Sequence, residues 1–134
     1  MRLADFEGVW QLDRRIEDRR AGVTGRLNGQ AVWVPGQGGL VLTETGTLQY
    51  GDGAPMQAER RYLWREDAGG IAVFFDDERV FHWFSAGKTT ALHDCPPDLY
   101  RVSYDLTGWP HWSAEWQVNG PRKDYRMQSL YHRE

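Results

Sequence analysis

The sequence predicts an all-β protein, an up-and-down antiparallel barrel of about ten strands forming a single domain over residues 1–134. Three observations carry this. The 15 Gly and 6 Pro are scattered as punctuation and cut the chain into segments of roughly 6–12 residues. At least five of those segments alternate apolar and polar residues with period two, as strands with one buried face do. Aromatic rings, 7 Trp, 6 Tyr and 5 Phe, supply the core area that a Leu, Ile, Val and Phe share of only about a fifth does not.

Strand one, near 8–18, places Trp10, Leu12, Arg14 and Ile16 inward against Gln11, Asp13, Arg15 and Glu17. Strands two and three follow near 26–34 and 39–49, with Leu40, Leu42, Glu44 and Leu48 in one inward phase. The Gly51-Asp52-Gly53 turn leads into strand four, near 55–66, whose inward set is Ala58, Arg60, Tyr62 and Trp64. With Gln49 opposite Pro55, paired numbers sum to 104 and Glu44 faces Arg60. Ala68-Gly69-Gly70 and Asp76-Asp77 bracket strand five, near 70–76.

Strands six and seven, near 79–85 and 88–94, form a hairpin about Ala86-Gly87-Lys88. It pairs Phe84 with Thr89 and His82 with Ala91, leaving His93 diagonal to His82 on the same face. Phe81 and Trp83 are the alternative inward pair of strand six. Strands eight, nine and ten, near 98–107, 111–119 and 122–133, turn inward Tyr100, Val102, Tyr104 and Leu106, then Trp112, Ala114, Trp116 and Val118, then Tyr125, Met127, Ser129 and Tyr131. An even number of alternating strands brings the last antiparallel to the first, closing a barrel without an exposed edge, which favours a barrel over a sandwich. His111 and His132 fall at the opposite end from His93.

Formal net charge is −3 with no run of Lys or Arg, so neither a nucleic acid nor a membrane is an expected partner. Cys95 is the only cysteine and can form no internal disulfide. The opening MRLADFEGVW has no apolar h-region, and no window approaches the length of an apolar span. The expectation is a cytoplasmic protein with no cofactor and no metal. Ala86-Gly87-Lys88-Thr89 lacks the earlier glycine of a phosphate loop, since position 82 is His82. G-x-S-x-G, C-x-x-C and H-E-x-x-H do not occur.

Gly8-Val9-Trp10, opening the first strand, resembles the start of lipocalins and other calycin barrels. Arg60-Arg61-Tyr62-Leu63-Trp64-Arg65, Phe81-His82-Trp83-Phe84, His93-Asp94-Cys95-Pro96-Pro97-Asp98-Leu99-Tyr100 and Gly120-Pro121-Arg122-Lys123-Asp124-Tyr125 are similar to an uncharacterised microbial family of lipocalin-like proteins over nearly the whole chain. The resemblance implies the calycin fold and no particular activity. Calycins bind small apolar or anionic ligands inside the barrel, and nitrobindin-like ones bind haem. The calycin habit of a last-strand Arg over the Gly-x-Trp ring implies a structural contact between Arg133 and Trp10, which the strand directions also bring together.

Arg14 and Arg60 lie in phase with the apolar face, where an unpaired guanidinium is too costly to keep. Each needs a carboxylate or a ligand anion, and Glu44 can serve only one. The expected function is binding of a small, partly apolar, anionic ligand inside the barrel by Arg14, Glu44, Arg60, Tyr62, Trp64, His82, His93, Tyr104, Trp116 and Tyr125. One alternative is a lyase or isomerase in which His82, His93 or Tyr104 moves protons. Another is haem or metal binding through His82 and His93, with Cys95 and Asp98 as further donors. A third is a filled barrel with a purely structural or interaction role.

Overall fold

Period-two alternation and short turns make each strand hydrogen-bond to the one before it. In the computed structural model, which describes residues 1–133, ten antiparallel strands follow one another in this way. They are β1 (Gly8–Asp18), β2 (Val23–Gly36), β3 (Gly39–Tyr50), β4 (Met56–Asp67), β5 (Gly70–Phe75), β6 (Val80–Phe84), β7 (Thr90–Cys95), β8 (Asp98–Asp105), β9 (Trp112–Asn119) and β10 (Asp124–His132). A 3₁₀ turn, Leu3–Phe6, is the only helical element among the described residues. β2 starts three residues earlier than expected because it pairs β1 along its full length, from Gly8↔Trp33 to Asp18↔Val23.

The first and last strands are neighbours, with Leu12↔Tyr131 and Arg14↔Ser129 in register. The β3–β4 register is the expected one, with Glu44 opposite Arg60. On β2 and β3, Gly29 and Gly46 face one another so closely that a Cβ on either would run into the backbone of the other strand. Glycine is required there for the two strands to approach.

The barrel is nearly closed rather than edgeless. β6 and β7 end the strand order, and among the described residues the only backbone pairing between them is the bridge between Ser85 and Lys88 beside their turn. The expected pairing of Phe84 with Thr89 and of His82 with Ala91 does not form a ladder. On its other side β6 carries a bulge against β5. Val73 pairs with His82 but Phe74 pairs with Val80, so Phe81 is an extra residue. A bulge bends and twists its strand, and this one settles the facing of strand six. Phe81, His82 and Phe84 are all buried, while Trp83 is only partly so.

The end of the barrel where β1 begins is plugged. Phe6, fully buried, sits 5.0–5.2 Å from the rings of Trp64, Trp109 and Trp112, and its carbonyl accepts a 2.8 Å bond from Trp10 Nε1. The Arg133 guanidinium lies 4.0 Å from the Trp10 ring centroid and donates to the carbonyls of Glu7 and Asp5 at 3.0 and 2.9 Å. These contacts staple the chain termini together over the plug. The opposite end, where β1 finishes at Asp18 beside Tyr125 and Val23, is the mouth end.

Candidate functional site

Alternation along β1, β3 and β10 places Arg14, Glu44, Ser129 and Tyr131 at mid-height in the barrel, all buried. Arg14 Nη2 donates to both carboxylate oxygens of Glu44 at 2.9 and 3.0 Å, and its Nε donates to Ser129 Oγ at 2.8 Å. Tyr131 donates to Glu44 at 2.6 Å. Burial works against the Arg14 charge, but Glu44, with Tyr131 and Tyr62 adding to it, more than offsets this and holds the guanidinium pKa above its ordinary value. Burial, then Glu44, raises that of Tyr131. Arg14, Glu44 and Tyr131 thus hold one another as a buried, hydrogen-bonded ion pair. Although Glu44 pairs with Arg60 in strand register, its carboxylate goes to Arg14.

On the other side of the interior, His82 Nε2 and the Tyr104 hydroxyl are 2.7 Å apart. Burial, with a smaller effect from His93, depresses the His82 pKa to about 3, so the imidazole is neutral at physiological pH. Burial pushes the Tyr104 phenol well up. This pair and the Arg14–Glu44–Tyr131 network line one cavity together with Tyr62, Trp64, Trp112 and Trp116. Its volume is about 20 Å³, which is room for a single water. A porphyrin or other organic ligand does not fit there. Seven of the ten expected site residues therefore converge on one place, and their side chains leave only that small cavity between them.

The remaining three, Arg60, His93 and Tyr125, belong to the mouth. Arg60 is exposed, yet its guanidinium reaches inward to 5.7 Å from the Trp116 ring. Trp116 in turn packs against Tyr62 and Phe81 at 6.2 and 5.0 Å. His93, half-buried, stands 5.3–5.8 Å from Phe75, Phe81 and Tyr100. Tyr125 is partly buried, and its pKa is raised by burial and then Tyr100, with Arg60 opposing. Arg60 forms no salt bridge among the described residues. Lys123, the next cation, is tied to Asp98 at 3.0 Å. Aromatic rings thus gather around Arg60 at this end.

Sequence reasoning missed Ser129 and Tyr131 as the partners that complete the Arg14 network, and Phe75, Phe81 and Tyr100 as mouth residues. The first two were within reach, since the register that puts Arg133 near Trp10 also puts Ser129 opposite Arg14. Phe81 was offered only in the alternative inward pair with Trp83, whereas the bulge buries it together with His82. Among the described residues no three His, Cys, Asp or Glu side chains are grouped to hold a metal ion; Cys95 is exposed and free. His111 and His132 lie together at the plugged end, 5.9 Å apart by ring centroid. No helix is long and apolar enough to cross a membrane.

The chain belongs to DUF6314, a family of unknown function, whose pattern matches residues 6–133. No curated protein matches it.

Proposed function

We propose that this DUF6314 member is a cytoplasmic small-molecule binding protein of lipocalin-like, calycin architecture that takes a partly apolar anion at the mouth of its barrel. The observation that carries the reading is Arg60, an inward-phase guanidinium that lies over Trp116 and has no carboxylate partner among the described residues. A planar anion can pair with such a fork while its apolar part lies on aromatic rings. Trp116, Tyr100, Tyr125, Phe75 and Phe81 supply that surface, and His93 is the polar group at its edge. Arg14, Glu44, Tyr62, Trp64, His82 and Tyr104 form the floor beneath.

Binding of anilinonaphthalene sulfonate, an aromatic anion, tests this in the protein and in Arg60→Met, which preserves side-chain bulk and removes the donors. The variant is expected to keep its circular dichroism spectrum and to bind at least about tenfold more weakly, a loss of about 1.4 kcal/mol. Raised salt weakens the parent in the same direction. Equal affinity of the two proteins overturns the reading. Native mass spectrometry of protein purified from its own host then looks for the retained molecule.

A second reading, a lyase or isomerase, draws on His93, which faces the same mouth and could exchange a proton with a ligand held by Arg60. Turnover of the recovered molecule, lost in His93→Gln, supports it; release of that molecule unchanged excludes it.

A further inference from the structure

The cavity at the centre of the barrel has polar walls. Four buried side-chain polar atoms make no hydrogen bond within the described protein, and three of them, Trp64 Nε1, Trp112 Nε1 and His82 Nδ1, belong to side chains that line this cavity. Those three residues are 3%, 4% and 4% exposed, so bulk solvent does not serve them. The other polar walls are already engaged: Arg14, Glu44 and Tyr131 with one another, and Tyr104 with His82 Nε2.

We propose that the cavity is a binding site for one solvent-sized hydrogen-bond acceptor, held by the indole N–H groups of Trp64 and Trp112 beside the His82 imidazole. The chemistry follows from the donors. An indole N–H can only donate, and a buried donor left unmade is expensive, so the occupant must accept at least two hydrogen bonds. The volume of about 20 Å³ exceeds the roughly 10–15 Å³ that one water requires and excludes an organic molecule. Cavities that remain dry are lined by apolar groups, which this one is not. Arg14 and Glu44 neutralise one another at its wall, so the site offers hydrogen bonds rather than a net charge. A water and a halide ion share the accepting chemistry. They differ in that a water can also donate to His82 Nδ1, whereas a halide needs that nitrogen protonated.

This site lies beneath the mouth and stands whether or not the mouth binds an anion. Crystals of the full chain grown with bromide as the only halide test it, at a resolution that shows ordered solvent. The expected result is a density peak in the cavity within about 2.7–3.3 Å of Trp64 Nε1 or Trp112 Nε1 for a water, and correspondingly farther for the larger bromide. An anomalous signal on that peak identifies a halide and its absence identifies water; either supports the site. A cavity without a peak overturns it, as does an indole nitrogen found bonded to a protein carbonyl. In solution, the indole N–H resonances of Trp64 and Trp112, assigned through Trp64→Phe and Trp112→Phe, are expected to be protected from exchange. For the water-bound form they show cross-relaxation with a long-lived water. Rapid exchange of both with bulk solvent contradicts the site.

Discussion

Arg14 and Glu44 stand on strands that are not neighbours, yet Arg14 Nη2 sits 2.9 and 3.0 Å from the two carboxylate oxygens of Glu44. β2 separates them. Its inward residues at this height, Gly29 and Ala31, pair with Leu12 and Trp10 on one side and with Gly46 and Glu44 on the other. The pair therefore reaches across the inner face of β2, from the Arg14↔Leu27 position to the Ala31↔Glu44 position.

Breaking that pair from one side strands a buried charge. Glu44→Gln is expected to destabilise the protein by about 3–5 kcal/mol in urea unfolding, whereas Arg14→Met combined with Glu44→Leu loses markedly less. A Glu44→Gln midpoint equal to the parent's contradicts the buried pair.

Stability is expected to fall as pH drops below about 6.5. Unfolded His82 takes up a proton near its ordinary value of 6.5, while burial keeps the folded imidazole neutral down to about 3. Over that window the unfolded state binds one more proton, so this contribution is complete above pH 6.5 and is lost towards pH 3. The slope approaches about 1.4 kcal/mol per pH unit. Urea titrations between about pH 7 and 5 read it before most carboxylates titrate. His82→Gln is expected to flatten the curve there, and an unchanged slope counts against the buried neutral imidazole.

Arg133 closes the plugged end through the Trp10 ring and two backbone carbonyls. Arg133→Ala is expected to cost about 1–3 kcal/mol, combining the lost cation–π contact with the charge-assisted bonds. Thermal unfolding checks this, and a variant as stable as the parent shows the staple to be idle.

The seam predicts where the barrel opens first. Among the described residues the only backbone pairing between β6 and β7 is the Ser85–Lys88 bridge, so their amides on the facing edges lack ladder partners. Hydrogen exchange followed by NMR is expected to be fastest in β6 and β7 and slowest in β1, β2 and β10. Uniform protection around the barrel would mean the seam is zipped in solution.

Strand number, strand order and inward faces were legible from the residues because they depend on local chemistry. Period two assigns Trp10, Leu12 and Arg14 to one side whatever else the chain does. A short turn at Gly51-Asp52-Gly53 sets the Glu44–Arg60 register with no knowledge of distant strands. The contact between Arg133 and Trp10 followed from strand direction and the Gly-x-Trp resemblance together. What the tertiary structure alone decided is where side chains go once those faces are curled around one axis. Register put Glu44 beside Arg60, but its carboxylate goes across β2 to Arg14, which leaves Arg60 without a carboxylate among the described residues. The interior that alternation made apolar turned out to hold only a small cavity, because Trp64, Trp112 and Trp116 reach its centre from both sides and ring volume is not written in a strand pattern. The bulge at Phe81 shifts one residue of one ladder, and with it the facing of strand six. Alternation cannot foresee such a break, since it assumes the regular pairing that the bulge removes.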